Sequence, residues 1–390
     1  MVNYIHTITG EPMSDAKIKT ETTNYAKANS RILTTESGLQ AGRIHEGNLT
    51  YLTNDDVILV PKLGVLSSRL EAEIDSFIYT SPMDTVTGER LTSSVVAYGH
   101  TAVVCRFLKK EWRACLKKYH SHDKVFFAVG SKDKNTKDFL QNLEDIIPED
   151  VFPAISVNID VAHGDTVAMH RLYKWYASKK FIRNIMSGSI STPAAAIRCI
   201  KSGCTHLRIG IGPGSACSTR LQTGCGVPQL SAVVAIHDAL TQAEMRNKVV
   251  LIADGGVRHP GDAVKYIAAG ANGVMLGKRF SECPESPGWK LIKDKWWQKP
   301  KLKKRYRGQA SAAFQVDMFG KRNSCPEGEA GPLITTGLTV QEVIGEFEGG
   351  LRSALSYLGL RSIKDLKPEN VSFLRITPSA AVEGEPHGTK

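Results

Sequence analysis

The feature that most constrains this chain is a succession of short apolar runs, several of them followed by a stretch of helical periodicity. The runs are 57-VILV-60, 77-FIYT-80, 102-AVVC-105, 125-VFFAV-129, 155-ISVNI-159, 207-LRIGI-211, 249-VVLIA-253 and 273-GVMLG-277. Segments 228–247 and 260–270 carry the helical pattern most clearly. Unbroken apolar strands are what parallel strands covered by helices require. Roughly eight such units over about 320 residues predict an α/β fold, a (β/α)₈ TIM barrel in preference to an open sheet. Residues 49–375 are assigned to this barrel, 1–48 to a polar N-terminal extension, and 376–390 to a flexible, Pro/Gly-rich tail.

Composition removes several alternatives. A chain of 390 residues with 42% hydrophobic residues is long and apolar enough to bury a large core. No run of about 18 apolar residues is present, so no membrane span is expected. The N-terminus lacks the charged-then-apolar pattern of a secretory leader, which predicts a cytoplasmic protein. The eight cysteines form no Cys-x-x-Cys pair, arguing against a zinc site or a disulfide framework. The net charge of +11 is concentrated in 290-KLIKDKWWQKPKLKKRYR-307. With Trp296, Trp297 and Tyr306 interleaved, that tract has the composition of a nucleic-acid binder. Its place inside the repeating β/α pattern favours a solvated loop that steers anionic small molecules instead.

Glycines mark the candidate site. One strand ends in Asp254-Gly255-Gly256 and the next in Gly277-Lys278. Loops after the seventh and eighth strands of such barrels commonly hold a phosphate, and glycine lets backbone N–H groups approach it. Between two earlier elements, 210-GIGPGSACSTR-220 places Ser215 and Cys217 on another glycine-rich loop. Gly212 and Gly214 can turn carbonyls toward a hard monovalent cation. Spacing alone leaves open whether Cys217 is a nucleophile or a packed thiol. No Gly-x-Gly-x-x-Gly fingerprint opens a helix after a strand, so a Rossmann cofactor unit is not expected.

The loop 211-IGPGSACSTRLQTGCGVPQLSAV-233 resembles the active-site loop of the inosine monophosphate dehydrogenase and guanosine monophosphate reductase family. The resemblance continues through 81-SPMDTVTG-88, 188-GSIST-192, 253-ADGGVRHPGDAVKYIAAGANGVMLG-277 and 349-GGLRSALSYLG-359. Within the family, 61-PKLGVLSSRLEAEI-74 and 101-TAVVCRFLKKEW-112 are closer to the reductase. The lack of room for an inserted regulatory (CBS-type) domain pair points the same way. So does the lack of an Arg-Tyr pair between Gly308 and Glu327. Tyr306-Arg307-Gly308 and 326-PEGEAG-331 are closer to the dehydrogenase.

The resemblance therefore implies NADPH-dependent reductive deamination of guanosine monophosphate, in a ribo, deoxy or base-modified form, to inosine monophosphate and ammonia. The alternative is an inosine monophosphate dehydrogenase without a regulatory domain, using NAD. Carried over by motif, Cys217 is the nucleophile, with Thr219 and Glu327 as its proton-transfer pair. Ser215, Asp254, Gly256, Gly277, Tyr306, Gly308 and Ser311 are the substrate positions, on a short flap around 308–331 and the barrel loops. Lys278 and Gln309 stand where the family has a small residue and a methionine. Asp160, Gly164 and Arg106 are the cofactor positions, and His163 replaces an asparagine and is assigned a structural role. Gly212, Gly214 and Cys217 are the positions for the monovalent cation, potassium. A homotetramer is also implied.

Overall fold

The computed structural model describes residues 33–34, 41–42, 51–131, 155–293 and 299–386. Eight parallel strands form the central sheet. They are β1 (Ile78–Thr80), β2 (Ala102–Val104), β3 (Val125–Val129), β4 (Ile155–Ile159), β5 (Ile182–Met186), β6 (His206–Ile209), β7 (Val250–Asp254) and β8 (Gly273–Leu276). Each strand from β2 to β8 pairs with the one before or after it, and β8 pairs with β1. Thr101, one residue before β2, exchanges hydrogen bonds with Thr80 and Ile78 and closes the ring. The fold is a (β/α)₈ barrel.

Strand alternation divides the core in two. Tyr79, Val103, Phe126, Met186, Ile252 and Met275 fill the barrel interior. Their neighbours in sequence, such as Ile78, Val104, Phe127 and Leu251, face outward into the larger cluster beneath the helices. This two-residue period is what a strand imposes on its side chains. The helices that cover the sheet include α1 (Glu89–Ala97), α2 (Lys109–Tyr119), α3 (Val167–Ala177) and α4 (Pro193–Lys201); after the short α5 (Thr219–Thr223), which lies in the loop following β6, come α6 (Gln229–Gln242) and α7 (Pro260–Ala268). Helix α6 is buried along most of its length between β6, β7 and its neighbours α4 and α7, and the segment after Tyr51 covers its first turn. Leu52 N–H donates to Ser231 Oγ at 2.7 Å, and the Ser231 N–H returns to the Leu52 carbonyl.

The expected strand list needs one exchange. Residues 57–59 do form a strand, but it pairs antiparallel with 373–375 outside the barrel. The eighth barrel strand is instead β5, IRNIM, whose Arg183 and Asn184 interrupt the apolar run that buried strands usually show. The basic tract also departs from expectation. It is not part of the β/α alternation but enters an antiparallel sheet of β9 (Lys290–Ile292), β10 (Lys301–Arg307) and β11 (Ala330–Thr335). Trp296 and Trp297 lie outside the described residues. Between β8 and β9 comes α8 (Lys278–Ser281), and between β10 and β11 lies α9 (Ala312–Phe319). The closing helix α10 (Val340–Tyr357) starts with a full capping box between Thr339 and Glu342. The tail expected to be flexible forms α11 (Pro378–Glu383), with Thr377 as N-cap and Pro378 at its first turn.

Candidate active site

The loop after β6 crosses close to β7. An added Cβ on Gly210 would meet the Asp254 carbonyl at 2.2 Å, so a side chain there would block the crossing. The chain then tightens: Cys217 N–H donates to the Gly214 carbonyl at 3.0 Å. Cys217 is exposed, while five of the other cysteines are buried. Its thiol donates to Thr219 Oγ1 at 3.2 Å, which joins the two residues expected to act together. An exposed thiol on a loop is accessible to a ligand, unlike the buried cysteines packed in the core.

The flap docks onto this loop through its backbone. Ser218 N–H donates to the Glu327 carbonyl at 3.0 Å, and Glu329 N–H to the Ala216 carbonyl at 2.9 Å. Gly308 N–H in turn reaches the Glu329 carbonyl at 3.0 Å. A Cβ on Gly308 would be 2.6 Å from the Ala216 carbonyl oxygen, so the contact needs glycine. Three segments distant in sequence thus meet around Cys217. The Glu327 carboxylate is half-buried and makes no hydrogen bond among the described residues.

A second cluster lies at the ends of β7 and β8. Gly255 and Gly256 adopt φ of 95° and 75°, a region open to glycine at little cost. An added Cβ on Gly277 would lie 3.1 Å from the Tyr306 hydroxyl and 3.2 Å from Ser81 Oγ. One on Gly256 would lie 2.7 Å from the Tyr266 hydroxyl. The hydroxyls of Tyr306, Ser81 and Tyr266 therefore lie beside the glycines at the ends of β7 and β8. Burial pushes the Tyr306 phenol up to about 12 against a hydrogen bond from Ser215, so it stays a neutral donor. Lys278, at the start of α8 beside Gly277, is exposed on the wall of the cleft.

Four charged side chains cross the mouth of the barrel. Arg106 Nε lies 3.2 Å from Asp160 Oδ2, Arg208 Nη1 lies 3.4 Å from Asp160 Oδ1, and Arg208 Nε lies 2.6 Å from Asp254 Oδ2. Arg208 follows His206 by two on β6 and so faces the interior, as Asp254 does after Ile252 on β7. Burial works against the Arg208 charge, and the two carboxylates more than offset it. The Arg106 guanidinium stacks 3.9 Å over Phe107, which packs edge-on against Phe314. Arg208 was not among the residues singled out from sequence, nor were Ser81 and Tyr266. The visible signal for Arg208 was a lone cation inside an otherwise apolar strand.

These clusters line one cleft of about 1450 Å³, larger than a usual pocket for one small ligand. It brings together Cys217, Thr219, Glu327, Ser215, Asp254, Gly256, Gly277, Lys278, Tyr306, Gly308 and Gln309, with Asp160, Arg106, Gly212 and Gly214. Gly164 and Ser311 are not on its wall. Gly164 is buried with its N–H on the Ser189 carbonyl at 2.8 Å, and a Cβ there would strike the Gly188 carbonyl. Ser311 is buried and its hydroxyl caps α9 by accepting the Phe314 N–H. His163 is exposed.

The loop also offers cation ligands. Arg220 donates to the Ile211 carbonyl at 2.9 Å and to the Val227 carbonyl. The Gly212 and Cys217 carbonyls accept no hydrogen bond among the described residues, and Gly212 adopts φ of 87°. Neutral oxygens of this kind suit a hard, weakly charged ion. No cluster of three or more His, Cys, Asp or Glu side chains able to hold a metal occurs among the described residues.

The class of molecule is set by a closed β/α barrel whose cysteine-bearing loop meets the 308 and 327 segments beside glycines at the ends of β7 and β8. Residues 51–387 match the family described as IMP dehydrogenase / GMP reductase domain, and the chain belongs to that family. It is 34% identical over 284 residues to the inosine-5'-monophosphate dehydrogenase of Borreliella burgdorferi, covering 69% of this chain and 68% of that protein. Over 235 residues it is 37% identical to the enzyme of the same name from Thermoplasma acidophilum, covering 59% and 46%. The match to the Chlorobaculum tepidum protein of that name is 34% over 243 residues, covering 59% and 47%. The chain thus spans about two thirds of the first of these relatives and about half of the others. Their names agree better with the dehydrogenase alternative than with the reductase preferred from sequence. Family membership makes the chain an oxidoreductase of purine metabolism. No helix among the described residues is long and apolar enough to cross a membrane.

Proposed function

We propose that the protein transfers hydride at C2 of a purine nucleoside monophosphate through a covalent bond to Cys217. The observation that carries this reading is the exposed Cys217 thiol, bonded to Thr219 and enclosed by backbone from the 308 and 327 segments. The cradle of Ser215, Gly256, Gly277 and Tyr306 holds the phosphate, with Lys278 adding charge at its edge. Asp254 receives the ribose hydroxyls on the oxygen that Arg208 leaves open. Cys217 Sγ bonds to C2, and Thr219 with Glu327 moves protons to and from the group that leaves or attacks there. A nicotinamide dinucleotide, when bound, supplies or accepts the hydride. Arg106 and Asp160 mark its side of the cleft. A monovalent cation held by the Gly212, Gly214 and Cys217 carbonyls keeps the cysteine loop in shape.

The relatives' names support the oxidative direction, in which inosine monophosphate, NAD and water give xanthosine monophosphate, NADH and a proton. One observation favours the reductive direction, guanosine monophosphate to inosine monophosphate with NADPH. Residues 308–331 contain Arg322 but no tyrosine, so the Arg-Tyr pair that activates water in the dehydrogenase is missing from the flap. Absorbance at 340 nm separates the two. Inosine monophosphate with NAD tests the first direction, and guanosine or deoxyguanosine monophosphate with NADPH tests the second, each with potassium present. NADH formation selects the dehydrogenase; NADPH loss with ammonia release selects the reductase; no change in either mixture contradicts both. Assembly as a homotetramer is part of the same proposal, and sedimentation of the purified chain tests it.

A further inference from the structure

Gly164 lies behind the cleft wall, and the group packed against it is the side chain of Tyr173 on α3, which is fully buried. The phenol hydroxyl donates to the Gly164 carbonyl at 3.0 Å and accepts the Gly188 N–H at 3.1 Å. Burial pushes this phenol well above its usual range, so it stays protonated and donates. One hydroxyl therefore joins the loop after β4 to the loop after β5. The two loops also meet directly. Gly164 N–H donates to the Ser189 carbonyl at 2.8 Å, and Ser189 N–H to the Val161 carbonyl at 3.3 Å. A Cβ on Gly164 would lie 2.8 Å from both the Gly188 carbonyl oxygen and the Tyr173 hydroxyl, and one on Gly188 would lie 2.3 Å from Val161 Cγ2. The junction has no room for a methyl group.

Both loops reach the cleft close to this junction. Asp160, Val161 and Ala162, ahead of Gly164, and Ser189, directly after Gly188, are on its wall. The ends of the first loop have anchors of their own. Asp160 is held by Arg106 and Arg208, while Asp165 accepts Arg198 Nε at 2.9 Å and Nη2 at 2.6 Å and lies 2.7 Å from His170 Nε2. Tyr173 fixes the stretch between them. We infer that Tyr173 is a positioning residue for the dinucleotide, which it does not touch: its hydroxyl sets the wall of Asp160, Val161, Ala162 and Ser189 against which the cofactor lies. The inference rests on the proposed cofactor side of the cleft. Phenylalanine at 173 keeps the ring in the core and removes only the hydroxyl. The buried Gly164 carbonyl and Gly188 N–H then lose a shared partner, and the two loops lose the side chain that ties them.

The test is steady-state kinetics of full-length Tyr173→Phe with the mononucleotide and dinucleotide pair that the unaltered protein turns over. The KM for the dinucleotide is expected to rise about tenfold, the scale of one neutral hydrogen bond, while the KM for the mononucleotide stays within about twofold. Gly164→Ala, which forces the Tyr173 hydroxyl and the Gly188 carbonyl away from the junction, is expected to give the same split with a larger rise. A role confined to stability would lower the melting temperature and leave the ratio of the two KM values alone. Equal rises in both KM values, or no rise in either, in variants shown by thermal melting to be folded, overturn the role of Tyr173 and leave the proposed function standing. Absence of turnover by the unaltered protein with either pair overturns the proposed function and this inference together.

Discussion

Arg208 Nε lies 2.6 Å from Asp254 Oδ2 and its Nη1 lies 3.4 Å from Asp160 Oδ1, so one cation holds the buried Asp160 and the half-buried Asp254 at the mouth of the barrel. Arg208→Met leaves both carboxylates without that partner. The expected loss of unfolding free energy is about 3–5 kcal/mol, the usual cost of breaking a buried charge pair from one side. Urea unfolding measures it. Adding Asp254→Asn is expected to recover part of the loss, because it removes one of the stranded charges.

Gly308 offers a sharper test of how the flap completes the site. A methyl group there must displace the Ala216 carbonyl, which carries the bond to Glu329. Gly308→Ala is expected to lower kcat about 100-fold through misplacement of the reacting groups, with a much smaller effect on melting temperature. Steady-state kinetics and a thermal scan on the same preparation decide the matter. An unaltered kcat would mean that the flap contact is irrelevant to turnover.

Lys304 ties the flap sheet to the barrel loops. Its Nζ donates to the Thr85 carbonyl at 2.7 Å, to the Pro287 carbonyl at 3.0 Å and to Ser286 Oγ. Burial pushes this lysine down to about 7, while the unfolded chain keeps the ordinary value near 10.5. Between those values the unfolded state binds more protons, so stability is expected to rise with pH from about 7 toward 10. Lys304→Met removes that contribution to the slope. Denaturant unfolding at pH 7 and pH 9.5, for both proteins, measures the difference.

The barrel was legible because most of its strands are predominantly apolar, as burial on both faces demands, with polar interruptions such as Asn158 in β4 and Arg208 in β6. Strand β5 escaped because Arg183 and Asn184 break its run, and 57-VILV-60 took its place in the count although it pairs outside the ring. Most of the residues that meet in the cleft were legible for a different reason. Gly210 and Gly308 are required by the close approach of a backbone carbonyl and Gly256 by its positive φ, and such glycines leave a pattern in the sequence. Arg208, Ser81 and Tyr266 left no such pattern, since their roles depend on which strand ends the barrel brings together. Ser311 was misjudged for the same kind of reason: beside Gly308 it looks like a base contact, but its hydroxyl caps α9. The tail looked flexible by composition, yet Thr377-Pro378 is also an effective start for a helix.

The most direct test of the central claim is mass spectrometry of enzyme quenched in acid during turnover, with the reactive nucleotide and cofactor pair present. The expected result is one purine nucleotide attached to the peptide containing Cys217, with neither adduct nor turnover in Cys217→Ala. Sustained turnover by Cys217→Ala would contradict covalent catalysis at this loop and with it the proposed function.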